Sequence, residues 1–173
     1  MKTYKLINPS FKDLQNLRAG DFVFLTSIAY VMRDMAHKKL LTEKIFPLNL
    51  KGQIIYYAGP TPTRKDHPSG SLGPTTSSRM DKFCKEFIKK TSIIGIIGKG
   101  ERSKEVNAYM KGRTIYFAAL GGLGALGGSC VKNSKIILYP ELGPEAVYEI
   151  KIENLPLIVA QDIKGNNIYG DYL

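Results

Sequence analysis

The chain has 173 residues, of which 43% are hydrophobic and 23% are charged. This composition is typical of globular proteins and excludes a disordered or collagen-like chain, and the length suits a single domain over residues 1–173. With 25 Lys and Arg against 15 Asp and Glu, the formal net charge of +10 favours an anionic partner, although a lysine-rich solvated surface explains it equally well.

The sequence lacks the segments that mark membrane, secreted or nucleic-acid-binding proteins. No run approaches the ~18 apolar residues of a membrane span, and residues 1–14 lack the apolar region of a signal peptide. Arginine-glycine tracts, zinc-finger spacings and aromatic-basic stretches are also missing, which makes nucleic acid a minor interpretation of the charge. We therefore expect a cytoplasmic protein that binds neither membranes nor nucleic acid.

The first predicted elements are β-rich. Residues 21–32 form an apolar strand that gives way at Arg33 to a short helix or structured turn, RDMAHKKLLTEK. A second strand, residues 53–58, runs into residues 59–77, which hold four prolines and three glycines among seven Ser or Thr. This composition predicts no regular element there, and a loop of this length in a compact domain is commonly a binding loop or a lid.

A helix is predicted from residue 78, because apolar side chains recur there at helical spacing: Met80, Phe83, Cys84, Phe87 and Ile88. Ser78 and Asp81 match a capping box. Cys84 shares the apolar stripe and is expected to be a core residue rather than a nucleophile or ligand. With Cys130 it makes too few thiols for a disulfide framework or a self-contained zinc or iron-sulfur site, so any cluster must come from elsewhere.

The second half alternates strands and short helices. A short buried strand, residues 91–98, precedes a helical stretch, residues 103–111, and a strand over residues 113–120. Strands over residues 135–139, 147–153 and 157–160 follow, joined by ELGPEA and ENLP turns. Strands dominate and several apolar runs lack alternation, as buried strands do. We predict an α/β domain with a mixed sheet.

Residues 70–79 are the strongest candidate site. This glycine-flexed, hydroxyl-rich loop feeds the predicted helix, where unpaired backbone N–H groups and the Arg79 guanidinium would hold a carboxylate. Ordinary capping of the helix by the hydroxyl residues from Thr75 to Ser78 is the alternative. Four hydroxyl residues in succession after a long loop favour anion binding over capping alone.

Two further segments are glycine-rich. Lys99 lies between two glycines, where its ammonium would grip a carboxylate or phosphate or simply be exposed, and residues 95–100 fail the spacing of a Walker A loop. Residues 122–127 match GxGxxG. Only residues 128–134 separate that pattern from the next predicted strand, too few for the crossover helix of a dinucleotide-binding unit. Close packing of this backbone against another element or subunit is expected instead.

Arg33, Asp34 and His37 form an R-D-x-x-H pattern at the end of the first predicted strand. Arg33 would reach an anion, and Asp34 would orient a neighbouring base. His37 and His67 show neither HExxH nor triad spacing, so a metal site or a Ser-His mechanism is not supported.

Four segments together resemble one family: YYAGPTP from Tyr56, GSxGPTTSxRMD from Gly70, GKG at residues 98–100 and RDxAH from Arg33. They look like the β subunit, or C-terminal domain, of class I iron-sulfur hydro-lyases, namely fumarate hydratase and L-tartrate dehydratase. The resemblance covers about residues 10–165, and GPTTSxRMD is its most specific part. It implies a swivelling β/β/α domain that closes over a 4Fe-4S cluster ligated by the α subunit, so this chain would hold no metal ligand.

The resemblance also implies roles for four residues. Arg33, Arg79 and Lys99 would bind the two carboxylates of malate or fumarate. Thr75 would be the catalytic base or its close associate, with Lys99 assisting it. The implied protein is a lyase subunit of the tricarboxylic acid cycle that hydrates fumarate reversibly to (S)-malate, and only with its α subunit, in a heterodimer or heterotetramer. Tartrate or mesaconate as substrate, or a non-catalytic anion-binding module, are the alternatives.

Overall fold

The computed structural model describes residues 1–61, 69–122 and 124–170, so His67 lies outside the described residues. The strands are β1 (Thr3–Ile7), β2 (Phe22–Val31), β3 (Ile54–Tyr56), β4 (Ala58–Pro60), β5 (Leu72–Pro74), β6 (Gly95–Gly98), β7 (Ile115–Ala119), β8 (Val131–Leu138) and β9 (Val147–Gln161). The α-helices are α1 (Phe11–Leu14), α2 (Asp34–Thr42), α3 (Asp81–Thr91), α4 (Lys104–Met110) and α5 (Gly124–Ser129), and 3₁₀ segments cover Ser77–Met80 and Pro140–Glu145. No helix within the described ranges has the length and apolar character needed to cross a membrane.

Five strands close into a barrel. β2, β3, β6 and β7 run parallel in that order, and β9 lies antiparallel to both β7 and β2, which completes the ring. β1 adds a parallel strand beside β2, and β8 adds an antiparallel strand beside β9. The predicted α/β domain with a mixed sheet is confirmed. The β/β/α layering differs in detail because the sheet closes on itself, and the swivelling motion stays a prediction.

Two clusters of buried side chains flank the barrel wall. The inner cluster draws residues from all five barrel strands, among them Val23, Ile54, Ile97, Phe117 and Ile152. The outer cluster joins the wall to the helices through residues such as Leu40, Ile55, Phe87, Ile96, Met110 and Tyr116. Neighbouring residues of a strand point to opposite faces. Since both faces of β3, β6 and β7 are covered, these strands are apolar throughout, as their lack of alternation predicts.

The proline-rich segment holds more structure than its composition predicts. β3 ends at Tyr56, earlier than the predicted strand, and β4 pairs antiparallel with β5 as a two-stranded ribbon. The prediction that residues 59–77 form no regular element is therefore wrong at both ends of the segment. Proline is tolerated here because each ribbon strand is only three residues long and has an open edge. Residues 62–68 lie outside the described residues.

β9 runs through the predicted ENLP turn. Asn154 adopts a positive φ of 52°, and the pairing with β2 shifts register between Leu25 and Ser27. Asparagine tolerates this left-handed conformation better than most residues. The Asn154 N–H donates to the Thr26 hydroxyl at 3.0 Å, and this hydrogen bond keeps the bulged part of β9 attached to β2. The predicted turn is therefore wrong, because a β-bulge replaces it.

The glycine-rich segment forms the short helix α5, which packs against β5. A β-carbon on Gly127 would lie 2.3 Å from the Leu72 carbonyl oxygen, and one on Gly128 would lie 2.4 Å from the Gly70 carbonyl oxygen. The predicted close approach of backbone to another element is confirmed. The next strand, β8, pairs antiparallel with β9, so the segment does not open a dinucleotide-binding unit.

Helix α3 confirms the predicted apolar stripe but not its capping box. Its buried residues are Cys84, Phe87, Ile88 and Thr91. Asp81 in the first turn and Lys89 and Lys90 in the last turn suit the helix dipole. Neither the 3₁₀ segment nor α3 has a side-chain cap, and Ser78 lies inside the 3₁₀ segment. The Asp81 carboxylate has other partners, described below.

Candidate active site

The candidate site lies at the carboxyl ends of the parallel strands. Arg33 follows β2, Lys99 follows β6 and Gly121 follows β7. Thr75 reaches the same edge because its N–H donates at 2.8 Å to the carbonyl of Tyr57, the residue after β3. Parallel strands end at one edge of a sheet, where α/β proteins commonly bind ligands. The fold therefore gathers predicted site residues from distant parts of the sequence.

Residues 75–77 lie alongside Lys99. Thr76 forms a parallel bridge with Lys99, and the Ser77 N–H donates to the Lys99 carbonyl at 2.9 Å. The Lys99 N–H in turn donates to the Ser77 hydroxyl at 3.1 Å. The N–H groups of Thr75 and Ser77 thus donate within the fold. The prediction that unpaired N–H groups at this junction bind an anion is wrong for these two residues.

Ser77 is a buried residue that hydrogen-bonds to its surroundings, whereas sequence reasoning treated it only as a helix cap. It is fully buried, and the Tyr116 hydroxyl lies 3.0 Å from its Oγ. A β-carbon on Gly98 would lie 1.9 Å from this oxygen, so only glycine fits at residue 98. The G-K-G pattern carried the signal, because its first glycine admits the serine hydroxyl.

The Lys99 side chain is exposed at the edge of the barrel. Its Cδ lies 3.4 Å from the position that a β-carbon on Gly121 would take, so this glycine leaves room for the lysine stem. Within the described part of the chain, no carboxylate lies within 4.0 Å of its ammonium. The Lys99 charge is therefore open to an anionic ligand.

Both predicted arginines are paired with acids. Arg79 Nη2 lies 2.5 Å from Asp34 Oδ2, and Arg33 Nη2 lies 3.4 Å from Glu145 Oε1. The second oxygen of Glu145 accepts the Met35 N–H at 3.0 Å, so one acid holds both Arg33 and the start of α2. The Arg79 side chain is 50% exposed, which lets a ligand carboxylate reach it beside Asp34.

A chain of contacts connects the four predicted residues. Arg33 adjoins Asp34, which pairs with Arg79 at the end of the 3₁₀ segment, and the start of that segment is bonded to Lys99 beside Thr75. Three cations and one hydroxyl thus share one edge of the barrel. Guanidinium and ammonium groups in this number suit a ligand with two carboxylates.

His37 belongs to the core and not to the exposed edge. Its ring is fully buried against Tyr57 and Phe87, and Nδ1 lies 2.9 Å from the Arg33 carbonyl oxygen. Because a carbonyl can only accept, Nδ1 carries the proton. Burial lowers the pKa of His37 to about 4, with the Arg102 charge acting in the same direction and the hydrogen bond to Arg33 opposing it. The neutral imidazole thus stabilises the start of α2 by donating a hydrogen bond to the Arg33 carbonyl.

A buried ion pair that sequence reasoning missed joins a loop to a helix. Arg102 Nε donates to Asp81 Oδ1 at 2.5 Å, and the Ser103 N–H donates to Asp81 Oδ2 at 2.7 Å. The Arg102 side chain is 0% exposed, and its guanidinium carbon lies 5.4 Å from the Tyr57 ring centre and 5.6 Å from that of Tyr116. The carboxylate and the two rings compensate part of the cost of burying this charge, while Nη1 and Nη2 have no hydrogen-bond partner among the described residues. The pair fixes the loop after Lys99 to the first turn of α3.

The cysteines do not form a metal site. Cys84 lies in the outer cluster and Cys130 in the inner cluster, on opposite faces of the barrel wall. Both are free and buried, and burial raises the pKa of each thiol. The described residues include no group of three or more His, Cys, Asp or Glu that could hold a metal ion. A thiolate-ligated cluster does not fit this donor set.

Comparison with known proteins finds matches along almost the whole chain. The family described as Fumarase C-terminus matches residues 4–172. A Methanocaldococcus jannaschii chain with the provisional name L(+)-tartrate dehydratase subunit beta is 43% identical over 172 residues, covering 92% of this chain and 87% of its own length. The L(+)-tartrate dehydratase subunit beta of Escherichia coli is 34% identical over 169 residues, with coverages of 92% and 83%. The anaerobic class I fumarate hydratase of Escherichia coli is 38% identical over 151 residues, which are 84% of this chain but 28% of that enzyme.

Proposed function

The chain belongs to the Fumarase C-terminus family, and from this membership we propose that it is the β subunit of a two-chain hydro-lyase acting on a four-carbon dicarboxylate. The proposed reaction is the reversible hydration of fumarate to (S)-malate. The names of two relatives, each a subunit beta, support the two-chain organisation. The chain covers 87% and 83% of two relatives named subunit beta, but only 28% of an anaerobic class I fumarate hydratase.

The observation that carries the proposal is the convergence of Arg33, Arg79 and Lys99 beside Thr75 at one edge of the barrel. A C4 dicarboxylate has an anionic group at each end, which a set of separate cations can hold in one orientation. Lys99 has no ion-pair partner among the described residues, and Arg79 is half exposed. These two cations are therefore available to the substrate.

The proposal assigns the 4Fe-4S cluster to a partner chain, the α subunit. The two thiols here lie in separate core clusters and do not fit cluster ligation. Bound to the partner, the cluster would supply a Lewis-acidic iron. This chain would contribute binding of the carboxylates, orientation of the substrate and transfer of a proton.

Thr75 is the proposed proton-transfer residue. It is half-buried, and its neighbour Thr76 forms a bridge with Lys99, which supports a position close to the lysine on the adjacent segment. A threonine hydroxyl is a weak base without help. The positive charge of Lys99 would stabilise the deprotonated hydroxyl, while Arg79 would hold a substrate carboxylate.

L-tartrate is the second candidate substrate. The identity of 43% to the Methanocaldococcus jannaschii chain, over 87% of that chain, favours it. Tartrate differs from malate by one hydroxyl, which changes the shape of the pocket but not the two-carboxylate clamp. Relative kcat/KM for the two substrates decides between them.

The test is an anaerobic hydration assay that follows loss of fumarate absorbance. The chain is measured alone and then with an α subunit reconstituted with its cluster, and turnover is expected only in the mixture. An intact cluster without turnover of fumarate, L-tartrate or mesaconate would overturn the hydro-lyase proposal and favour a non-catalytic anion-binding module.

Two variants assign the roles within an active mixture. Lys99→Gln is expected to lower kcat/KM by about 30-fold or more, because it removes a charge that pairs with the substrate. Lys51→Gln is the matched control, since Lys51 is exposed and precedes β3, at the opposite end of the parallel strands. Thr75→Ala is expected to lower kcat by on the order of 100-fold with unchanged cluster content. A near-normal kcat for Thr75→Ala would exclude that residue from proton transfer.

A further inference from the structure

Tyr116 places one hydroxyl between the two segments that carry the candidate site. Its side chain is fully buried, and its oxygen lies 2.7 Å from the Gly100 carbonyl oxygen and 3.0 Å from Ser77 Oγ. Gly100 directly follows Lys99, and Ser77 begins the 3₁₀ segment that contains Arg79. A single buried group therefore contacts both cation-bearing segments at once.

The directions of these hydrogen bonds follow from counting protons. A tyrosine hydroxyl has one proton and the Gly100 carbonyl can only accept, so the Tyr116 proton points to Gly100. Burial raises the pKa of Tyr116, which keeps this proton in place. The Ser77 hydroxyl then donates to Tyr116 and accepts the Lys99 N–H at 3.1 Å. An ordered chain of hydrogen bonds thus runs from the Lys99 N–H to the Gly100 carbonyl.

Core packing alone does not account for this hydroxyl. Two other fully buried tyrosines lie in the barrel wall and its continuation, and their hydroxyls are poorly bonded. Among the described residues, the Tyr57 hydroxyl has no hydrogen-bond partner, and the Tyr56 hydroxyl meets the Leu72 carbonyl only at 3.5 Å. Packing explains those two side chains. The Tyr116 hydroxyl differs because its two short contacts both go to residues that flank or hold Lys99.

We propose that Tyr116 and Ser77 are positioning residues, which fix the backbone of Lys99 so that its ammonium meets a substrate carboxylate. The proposal rests on the proposed function. Glycines on both sides of Lys99 give this turn conformational freedom, and Gly100 has a positive φ of 79°. A long lysine side chain reaches a defined point only when its own backbone is held. Ser77 holds it through both the N–H and the carbonyl, and Tyr116 holds Ser77.

The test compares two single-hydroxyl deletions in β7 and at its start. Tyr116→Phe removes one oxygen and keeps the packed ring. Thr114→Val is the matched control, because the buried Thr114 hydroxyl donates to the Ile93 carbonyl at 2.9 Å. Each variant deletes a buried hydroxyl that bonds a carbonyl next to β6. Only the first of these bonds lies beside Lys99, since Thr114 precedes β7 and Ile93 precedes β6.

Amide hydrogen exchange of the full chain, without substrate, tests the positioning directly. Tyr116→Phe is expected to raise exchange at the Lys99 N–H by about 10-fold, the effect of weakening one buried hydrogen bond. Thr114→Val is expected to leave Lys99 exchange unchanged. Equal exchange at Lys99 in wild type and Tyr116→Phe would overturn the proposal.

A double-mutant cycle in the two-chain complex tests whether Tyr116 acts through Lys99. Tyr116→Phe is expected to lower kcat/KM by about 10-fold or more alone, and to have no further effect once Lys99→Gln is present. Equal losses in both backgrounds would indicate a general structural role and overturn the proposal. A wild-type complex without turnover would instead refute the proposed function, and the exchange experiment would then decide the positioning alone.

Discussion

The buried neutral imidazole of His37 predicts that acid destabilises the fold. Burial lowers the pKa of this residue to about 4 from an ordinary value of 6.5, so the unfolded chain binds the proton more tightly than the folded chain. The contribution to stability is fully present above pH 6.5 and is lost as the pH falls towards 4. At about 1.4 kcal/mol per pKa unit, the free energy of unfolding should fall by about 2 kcal/mol between pH 7.5 and 5.0 from this residue alone.

Urea unfolding at the two pH values measures this loss. The variant His37→Leu removes the titrating group, and the Arg33 carbonyl still accepts the backbone N–H of residue 37, which donates to it at 3.0 Å. The carboxylates are the same in both proteins, so their contributions cancel in the comparison. Wild type should therefore lose about 2 kcal/mol more than His37→Leu. His67→Leu serves as the matched control, because it also removes one imidazole.

Equal losses for wild type and His37→Leu would refute the reasoning. They would mean that the folded chain accepts a proton at His37 without cost, which requires water or an acid at an imidazole that is 0% exposed. If His67→Leu removed the pH dependence instead, the effect would belong to His67 and not to His37.

Four further substitutions test the packing around the barrel edge. Gly98→Ala would place a β-carbon 1.9 Å from the buried Ser77 hydroxyl oxygen, so it should lower the free energy of unfolding by about 1–3 kcal/mol and weaken dicarboxylate binding. Gly95→Ala on the same strand would meet its nearest atom only at 3.2 Å and should cost less. Urea unfolding and calorimetry compare the two variants. Gly127→Ala would place a β-carbon 2.3 Å from the Leu72 carbonyl oxygen, so it should separate α5 from β5 and raise amide hydrogen exchange in β5. Arg102→Met leaves Asp81 without its buried partner and should lower the free energy of unfolding by about 3 kcal/mol. An unchanged urea midpoint would show that this ion pair does not stabilise the fold.

Local sequence patterns predicted the single elements better than their arrangement. The stripe that includes Cys84 and Phe87 marked α3, and the apolar run after Gly20 marked β2. Barrel closure was not predicted, because it depends on the pairing of residues such as Phe22 and Ile158, from opposite ends of the sequence. No local sequence pattern predicts which distant strand will pair with a given strand. The ENLP segment was mistaken for a turn for the same reason.

The candidate site was indicated in part. Lys99 and residues 70–79 stood out by their glycines and hydroxyls, and the parallel strands bring them to one edge. The expected unpaired N–H groups were wrong because their acceptors, the carbonyls of Tyr57 and Lys99, come from other strands. Arg102 was missed because it lies in a polar stretch, and only the folded chain shows that it is buried.

The position of β9 in the sequence has a consequence for synthesis of the protein. β2 and β7 each pair one edge with β9, which is the last of the described strands in chain order and is therefore synthesised after both of them. Until then the nascent chain exposes unpaired strand edges, the feature that promotes association between chains. Pairing between strands so far apart in sequence also makes folding slow. We therefore expect the nascent chain to depend on chaperones until β9 is made, and a chain truncated before Val147 to aggregate.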